Sequence, residues 1–243
     1  MFCVFNWSRL FFYARLSVEV NNLHRRRRIL GIFIVFVILT VAGTVITGEK
    51  FSLDKEILDK AESTYGAAAR TALLDWQSLI REDKSNSDLE KLEKVNQFFD
   101  SRMEFVNDID HWGKEDYWAT PVEFLSSQGG DCEDFSLAKY FTLKAMGVAE
   151  GKLNLMYVKA LRFNQHHMVL IYFSAPGAEP LILDNLITLI KPASERTDLM
   201  PIYSFNGTGL WLAKQRERGK LVGGSDRLKL WQDLLQRMPE GLL

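Results

Sequence analysis

Apolar residues in the part of the chain after residue 50 recur every three or four positions, the period of a helix that packs on one face. This pattern predicts helical structure over residues 51–81, with a break at Gly66. Ser87 and Glu90 have the spacing of a capping box, so a further helix begins there. We expect that helix to end near Phe105.

A loop-rich segment separates these helices from the next long one. Thr120 followed by Pro121 predicts a short helix inside this segment, because threonine caps a helix and proline fits its first turn. Two glycines at 129–130 allow the backbone to approach the next element closely, with positive φ open to them. The helical period resumes at Cys132 and continues until Gly147 ends it.

The period then changes to that of strands. Three runs rich in β-branched and aromatic residues, LNLMYVKALRF, HHMVLIYF and PLILDNL, are separated by turn-like segments and predict an antiparallel meander. A turn at SFNGTG and a final helix near DRLKLWQDLLQRM complete the chain. Helices followed by a sheet predict an α+β fold, in which N-terminal helices precede a central helix packed on an antiparallel sheet.

An uncharged apolar run, residues 29–47, follows four consecutive arginines. Its 19 residues match the length of a membrane-crossing helix, and the arginines place the remainder of the chain across the membrane from the cytoplasm. A cleaved signal peptide is the alternative; a buried core helix is disfavoured because the run has no polar face. We therefore expect an extension at 1–28 that is cytoplasmic or removed, a signal-anchor or signal peptide at 29–47, and a folded domain at 48–243.

Charge is distributed unevenly along the chain. The net charge is −1, but residues 48–243 carry 24 of the 30 basic and 30 of the 31 acidic side chains, a net charge of −6. Such an acidic domain argues against nucleic acid as a partner, because phosphate binding needs a basic face.

The chain contains two cysteines, Cys3 and Cys132. If the apolar run spans the membrane or is cleaved, Cys132 has no intramolecular partner in an oxidising compartment, where an unused thiol is a liability. A buried, inert cysteine is the ordinary alternative.

The predicted elements bring three reactive side chains within reach of one another. Cys132 begins a helix, His167 opens the second strand of the meander and Asp184 ends the third. An imidazole can take the thiol proton while a carboxylate orients the ring, and a helix N-terminus supplies partial positive charge and free N–H groups. His166 is the weaker candidate for the base, because it faces the opposite side of the strand from His167.

Acidic residues cluster in two of the predicted loops, which suggests a hard cation such as calcium. The candidate oxygen ligands are Asn107, Asp108, Asp110, Glu115 and Asp116 in one loop, and Asp131, Glu133 and Asp134 in the other. Zinc is disfavoured, since no second cysteine and no paired-histidine spacing accompany Cys132. On composition alone a solvated acidic surface is the favoured explanation of the clusters.

The segments DHWGKEDYWATPVEFL, GGDCEDFSLAKYFTLKAMGV, HHMVLIYF and LILDNL, in this order, resemble the bacterial transglutaminase-like cysteine proteinases, whose studied members are the LapG-type periplasmic proteases. The resemblance covers roughly residues 50–215. It implies a papain-like, transglutaminase-like core and a catalytic triad on Cys132, His167 and Asp184.

The same resemblance implies dependence on calcium. The acids beside the cysteine, Asp131 and Glu133, match the family's calcium ligands, and we expect Asn107 and Asp110 to add ligands from the preceding loop. The two acids would raise the pKa of the neighbouring thiol in the absence of metal, whereas a bound calcium ion would offset their charge and favour the thiolate.

Members of this family cleave the N-terminal region of large surface adhesins beside a paired-alanine motif and so release cells from biofilm. They are restrained by an inner-membrane receptor that senses cyclic di-GMP. For this chain the resemblance implies a calcium-dependent periplasmic endopeptidase with these two partners. The alternatives are another papain-like acyl-transfer enzyme, such as a cell-wall amide hydrolase or a transglutaminase, and a non-catalytic calcium-dependent binding module.

Overall fold

The computed structural model describes residues 51–82, 85–214, 217–239 and 241–242. The extension at 1–28 and the apolar run at 29–47 lie outside the described residues, so their assignments stay predictions. In the part of the chain that the structure describes, no helix is both long enough and apolar enough to span a bilayer.

Helices dominate the first half of the described chain. They are α1 (Lys55–Tyr65), α2 (Ala67–Glu82), α3 (Asp88–Asp100), α4 (Asp108–His111), α5 (Pro121–Ser127) and α6 (Cys132–Ala145); α7 (Lys229–Arg237) lies near the end of the described chain. Gly66 adopts a φ of 90° between the first two, which confirms the predicted break. The capping boxes of α3, with Ser87, and of α5, with Thr120, are both formed.

The strands follow mainly in the second half. They are β1 (Glu104–Phe105), β2 (Gly129–Gly130), β3 (Leu153–Ala160), β4 (Gln165–Tyr172), β5 (Leu181–Leu183), β6 (Lys191–Pro192), β7 (Leu199–Asn206), β8 (Gly209–Lys214) and β9 (Glu217–Gly223). The last seven form one antiparallel sheet in the order β6-β5-β4-β3-β7-β8-β9. The predicted α+β class and the β3-β4-β5 meander are confirmed.

Two predictions about these elements were wrong. The helix begun at Ser87 ends at Asp100 rather than near Phe105, because the chain leaves the helix to pair in parallel with the two glycines of β2. Phe105 fits the helical period but is 55% exposed. The tail holds four strands, where we expected only a turn before the last helix. The sequence hides β7 because it contains Pro201, which is unfavourable inside a strand. Pro201 lies where the register between β3 and β7 shifts, a position that tolerates proline.

The helix α6 lies in the middle of the main hydrophobic core. It packs on β3 and β4, and its residue Thr142 accepts a hydrogen bond of 2.8 Å from the Trp76 indole of α2. A second, smaller core covers the opposite face of the sheet and includes Val169, Ile171 and Ile182. Strands β4 and β5 are therefore buried on both faces, which fixes the backbone where His167 and Asp184 are attached.

Candidate active site

The approach to Cys132 depends on close backbone packing rather than on left-handed glycines. Gln128 takes the positive φ (62°) that ends α5, and neither Gly129 nor Gly130 has a positive φ, contrary to the option that the sequence left open. A Cβ added to Gly130 would lie 2.2 Å from the Oδ2 atom of Asp134. Gly130 is thus required because the Asp134 carboxylate occupies the space of a side chain.

Cys132 is the first residue of α6 and is buried. Asp131 caps the helix, with its Oδ1 atom accepting a hydrogen bond of 3.2 Å from the Glu133 N–H. One turn further along, the Ser136 hydroxyl donates to the carbonyl of Met168 at 3.0 Å. These contacts place the start of α6 against β4 beside His167.

His167 and Asp184 form a buried pair. The distance from Nε2 of His167 to Oδ1 of Asp184 is 2.7 Å, and the two residues are 4% and 2% exposed. Since an ionised carboxylate only accepts hydrogen bonds, the ring proton belongs on Nε2, which leaves Nδ1 free to accept a proton. His166, by contrast, is exposed and stacks on Tyr157, with 5.2 Å between ring centroids.

Sequence reasoning missed a third member of this group, Arg196. Its Nη2 atom donates to Oδ2 of Asp184 at 2.6 Å, and Nε and Nη2 donate to the two carboxylate oxygens of Asp198 at 2.9 and 2.8 Å. Nothing in the segment around Arg196 distinguishes it from a surface arginine, because its partner Asp184 is distant in sequence and only the folded sheet brings them together.

Asp184 is therefore held ionised. Burial raises its pKa, but the hydrogen bond and charge of His167, the Leu186 N–H and the charge of Arg196 outweigh burial and bring the pKa below its ordinary value.

The Cys132 thiol has the opposite surroundings. Burial, and then the carboxylates of Glu133 and Asp131, raise the pKa of the thiol well above its ordinary value, and the Met168 N–H lowers it by less. The thiol donates to Oε2 of Glu133 at 2.8 Å. Without a cation beside these acids, the sulfur is held as a protonated hydrogen-bond donor. The pKa of the thiol is thus raised, the direction expected from the sequence.

Two groups of potential metal ligands meet at Asp131. In one, Asp131 lies with Cys132 and Glu133; in the other it lies with Asp108 and Asp134, and the ligand atoms within each group are no more than 4.8 Å apart. Burial, with the neighbouring Glu133 charge, raises the pKa of Asp131 to about 8, and burial raises that of Asp108 to about 6.

Two oxygens in the second group have no hydrogen-bond donor, Oδ1 of Asp108 and Oδ2 of Asp134, although both are buried. Buried carboxylate oxygens without a donor are costly unless a cation faces them. The donor set of this group is entirely oxygen, which suits a hard cation such as calcium.

The structure places the four predicted metal ligands differently. Asp131 and Glu133 lie together as expected. Asp110 is exposed and belongs to neither group, and Asn107 is exposed at the start of α4. Asp108 turns inward instead, accepting from the Tyr117 N–H. Residues two apart on a helix face about 200° from each other, so the helical period of α4 was the signal that separates Asp108 from Asp110.

Comparison with known protein families gives a match over the part of the chain that carries Cys132, His167 and Asp184. The model of the family described as bacterial transglutaminase-like cysteine proteinase matches residues 75–213, more than half of the chain. The chain belongs to this family. It is thus a cysteine protease, and of its two cysteines only Cys132 falls within the matched range.

Solved structures of other proteinases of this family extend the match. EGTA-treated LapG from Legionella pneumophila is 44% identical, with a TM-score of 0.67, and the alignment covers 76% of this chain and 96% of that one. Calcium-bound LapG from the same organism is 42% identical, with a TM-score of 0.65 and coverage of 77% and 100%. A comparison with curated proteins gives no match.

Proposed function

We propose that this proteinase is a calcium-dependent periplasmic endopeptidase that cleaves the N-terminal region of a large surface adhesin and so releases cells from biofilm. An inner-membrane receptor that senses cyclic di-GMP would restrain it. The observation that carries the catalytic part is the buried pair of His167 and Asp184, 2.7 Å apart, beside the helix that begins with Cys132. The likeness to LapG supports the biological part.

The three side chains have the roles of a cysteine-protease triad. Nδ1 of His167 takes the thiol proton, while Nε2–H stays bonded to Asp184. The sulfur of Cys132 attacks the peptide carbonyl carbon and forms a C–S bond. His167 then returns the proton to the amide nitrogen as the C–N bond breaks, which leaves a thioester and a free amine.

Hydrolysis of the thioester completes the cycle. His167 takes a proton from water, and the hydroxide attacks the thioester carbon. The C–S bond breaks as His167 returns the proton to the sulfur, which releases the carboxylic acid and the thiol. The first N–H groups of a helix have no acceptor within it, so those of α6 that the Asp131 cap does not take are the natural donors to the oxyanion in both halves of the reaction.

The residues present also fit a calcium site. Asp131, Glu133, Asp108 and Asp134 would hold the ion, and the donorless oxygens of Asp108 and Asp134 are the observation in favour. When bound, calcium supplies positive charge that offsets these carboxylates. Glu133 would then no longer serve as the acceptor for the Cys132 thiol, and the pKa of the thiol would fall.

The direct test is cleavage of an N-terminal fragment of the host's largest surface adhesin by the wild-type protein and by Cys132→Ala. We expect cleavage by the wild type in calcium, none in EGTA, and none by the variant, with both proteins equally folded by circular dichroism. Undiminished cleavage by Cys132→Ala would contradict the proposed nucleophile.

Parallel assays separate the alternatives. Release of peptidoglycan fragments or incorporation of an amine, without adhesin cleavage, would favour another acyl-transfer enzyme. A folded protein with no cleavage and no calcium-dependent alkylation of Cys132 would favour a binding module. Fractionation of cells, and assay with the receptor at low and high cyclic di-GMP, test the periplasmic location and the proposed inhibition.

A further inference from the structure

The Asp184 carboxylate divides its two oxygens between different partners. Oδ1 accepts from Nε2 of His167 at 2.7 Å and from the Leu186 N–H at 3.0 Å, whereas Oδ2 accepts from Nη2 of Arg196 at 2.6 Å. The side chains of Asp184, His167 and Arg196 are 0%, 5% and 1% exposed. Three donors therefore fix the plane of one buried carboxylate.

Arg196 is itself fixed from the other side. Asp198 accepts from both Nε and Nη2 of the guanidinium, a two-point contact that sets its orientation. Arg196 also lies against the second core with Val158, Ile171 and Ile182, leaving a gap of only about 10 Å³. Neither the guanidinium nor Asp184 can turn without breaking a contact.

The charges around this group single out Arg196 as the cation for Asp184. Besides His167, the charged groups that face Asp184 are Lys139 of α6, Asp100 of α3, Arg196 and Asp198. Lys139 is already committed to Asp100 at 2.6 Å and to the amide oxygen of Asn96 at 2.8 Å.

A buried arginine is an expensive way to fill a core, since an apolar side chain of similar volume usually stabilises a fold as well or better. We infer that Arg196, anchored by Asp198, is a positioning residue for the reaction: it turns the Asp184 carboxylate so that Oδ1 faces His167 and the imidazole presents Nδ1 to the thiol. This inference rests on the proposed triad.

The test uses the full chain, saturated with calcium, and the adhesin fragment as substrate. Arg196→Met keeps an unbranched apolar stem in place of the arginine stem but removes its charge and donors. We expect kcat to fall about 10- to 100-fold, the loss typical when an outer partner of a functional side chain is removed, with KM little changed. Arg196→Lys keeps the charge and should recover part of kcat.

Two further readouts separate positioning from folding. The acid limb of the kcat/KM profile should move to higher pH in Arg196→Met, because one of the charges that lowers the pKa of Asp184 is gone. The downfield NMR signal of the His167 Nε2 proton should weaken or shift. The matched control is Arg70→Met, which removes an arginine that likewise bridges two carboxylates, Asp59 and Glu62, and should leave kcat and both readouts unchanged.

The outcomes distinguish this inference from the proposed function. Wild-type kcat and pH profile in Arg196→Met, with Cys132→Ala and Asp184→Asn inactive, would overturn the role of Arg196 and leave the triad standing. Full activity in Asp184→Asn would overturn the triad itself. Should Arg196→Met fail to fold, Asp198→Asn frees only the outer anchor of the guanidinium. A smaller loss of kcat with KM unchanged and a shifted His167 Nε2 proton signal supports the inference, and no change in either contradicts it.

Discussion

The two sides of the site differ in how their charges are balanced. On the side of β4 and β5, Asp184 faces His167 and Arg196, and every oxygen of the carboxylate has a donor. On the side of α4 and the start of α6, the acids of the metal-ligand groups face one another, and two buried oxygens have no donor. The chain itself supplies the donors to the Asp184 carboxylate, so we call this the complete side. On the other, incomplete side the proposed calcium ion would face the oxygens that have no donor. On our proposal, the pair that orients His167 needs no ion, whereas the charge beside the Cys132 thiol depends on whether calcium is bound.

The largest effect is expected from a substitution that disrupts the hydrogen bonds of the complete side. Asp184→Asn retains the size of the side chain but reverses the hydrogen bond that sets the His167 tautomer. We expect kcat to fall by about 10⁴, as when the third member of a catalytic triad is replaced, with calcium affinity unchanged. Steady-state kinetics measure kcat, and calorimetric titration measures the affinity for calcium. A loss of calcium affinity in parallel with kcat would show that the two sides of the site are not independent.

A second substitution removes the acid closest to the sulfur on the incomplete side. Glu133→Gln withdraws the carboxylate that accepts from the thiol at 2.8 Å and raises its pKa. In EGTA, the variant should alkylate at Cys132 faster than the wild type, by about tenfold for each unit by which the thiol pKa falls. Mass-spectrometric alkylation rates over pH 6–9 check this, and Glu56→Gln, at an exposed position of α1, is the control. Equal rates in EGTA would contradict a role for Glu133 in restraining the thiol.

The uncompensated acids also predict how stability depends on pH. Asp108 and Asp131 have folded-state pKa values of about 6 and about 8, above the value of 3.8 for an unperturbed aspartate. Between pH 4 and 8 the folded, metal-free protein binds more protons than the unfolded chain, so its free energy of unfolding falls as pH rises. Calcium should cancel this loss.

Calorimetry at a series of pH values measures the effect. The rise in Tm on adding calcium should be larger at pH 8 than at pH 5 by more than roughly 4 °C, the shift that about 1 kcal/mol produces in a domain of this size. A calcium-induced rise in Tm that is the same at both pH values would contradict the assignment of these acids to the ion.

The smallest expected effects test which carboxylate of α4 belongs to the proposed calcium site. Asp108→Asn should weaken calcium binding about tenfold, or about 1.4 kcal/mol, while Asp110→Asn should leave it unchanged, because Asp110 is exposed and outside both groups. Calorimetric titration of the two variants compares neighbouring carboxylates on one short helix. A larger loss of calcium affinity in Asp110→Asn than in Asp108→Asn would contradict this assignment and support Asp110 as the ligand, as the sequence predicted.

Much of the frame was predictable because its signals are local. The capping boxes at Ser87 and Thr120, the break at Gly66 and the end of α6 at Gly147 each depend on residues within one turn of the helix end. The order of Cys132, His167 and Asp184 on a helix start and two strands was likewise readable from periodicity.

The remainder depends on contacts between distant segments. Arg196 meets Asp184 only because β5 and the turn that follows β6 are brought together by the sheet. The early end of α3 also depends on a distant contact, the pairing of β1 with β2. Phe105 fits the period of a helix and equally fits a strand, so the sequence alone does not decide between them. Asp108 was among the candidate ligands, but choosing it over Asp110 required knowing that these residues form a helix.

Asp131 belongs to both groups of acids and also caps α6. A single carboxylate therefore forms part of the electrostatic surroundings of the sulfur, holds the first turn of the helix that carries it, and on our proposal would also bind the cation. The proposed ion would lie next to the sulfur's own neighbours, Asp131 and Glu133, so that ion binding and the state of the thiol would be coupled at one place in the fold.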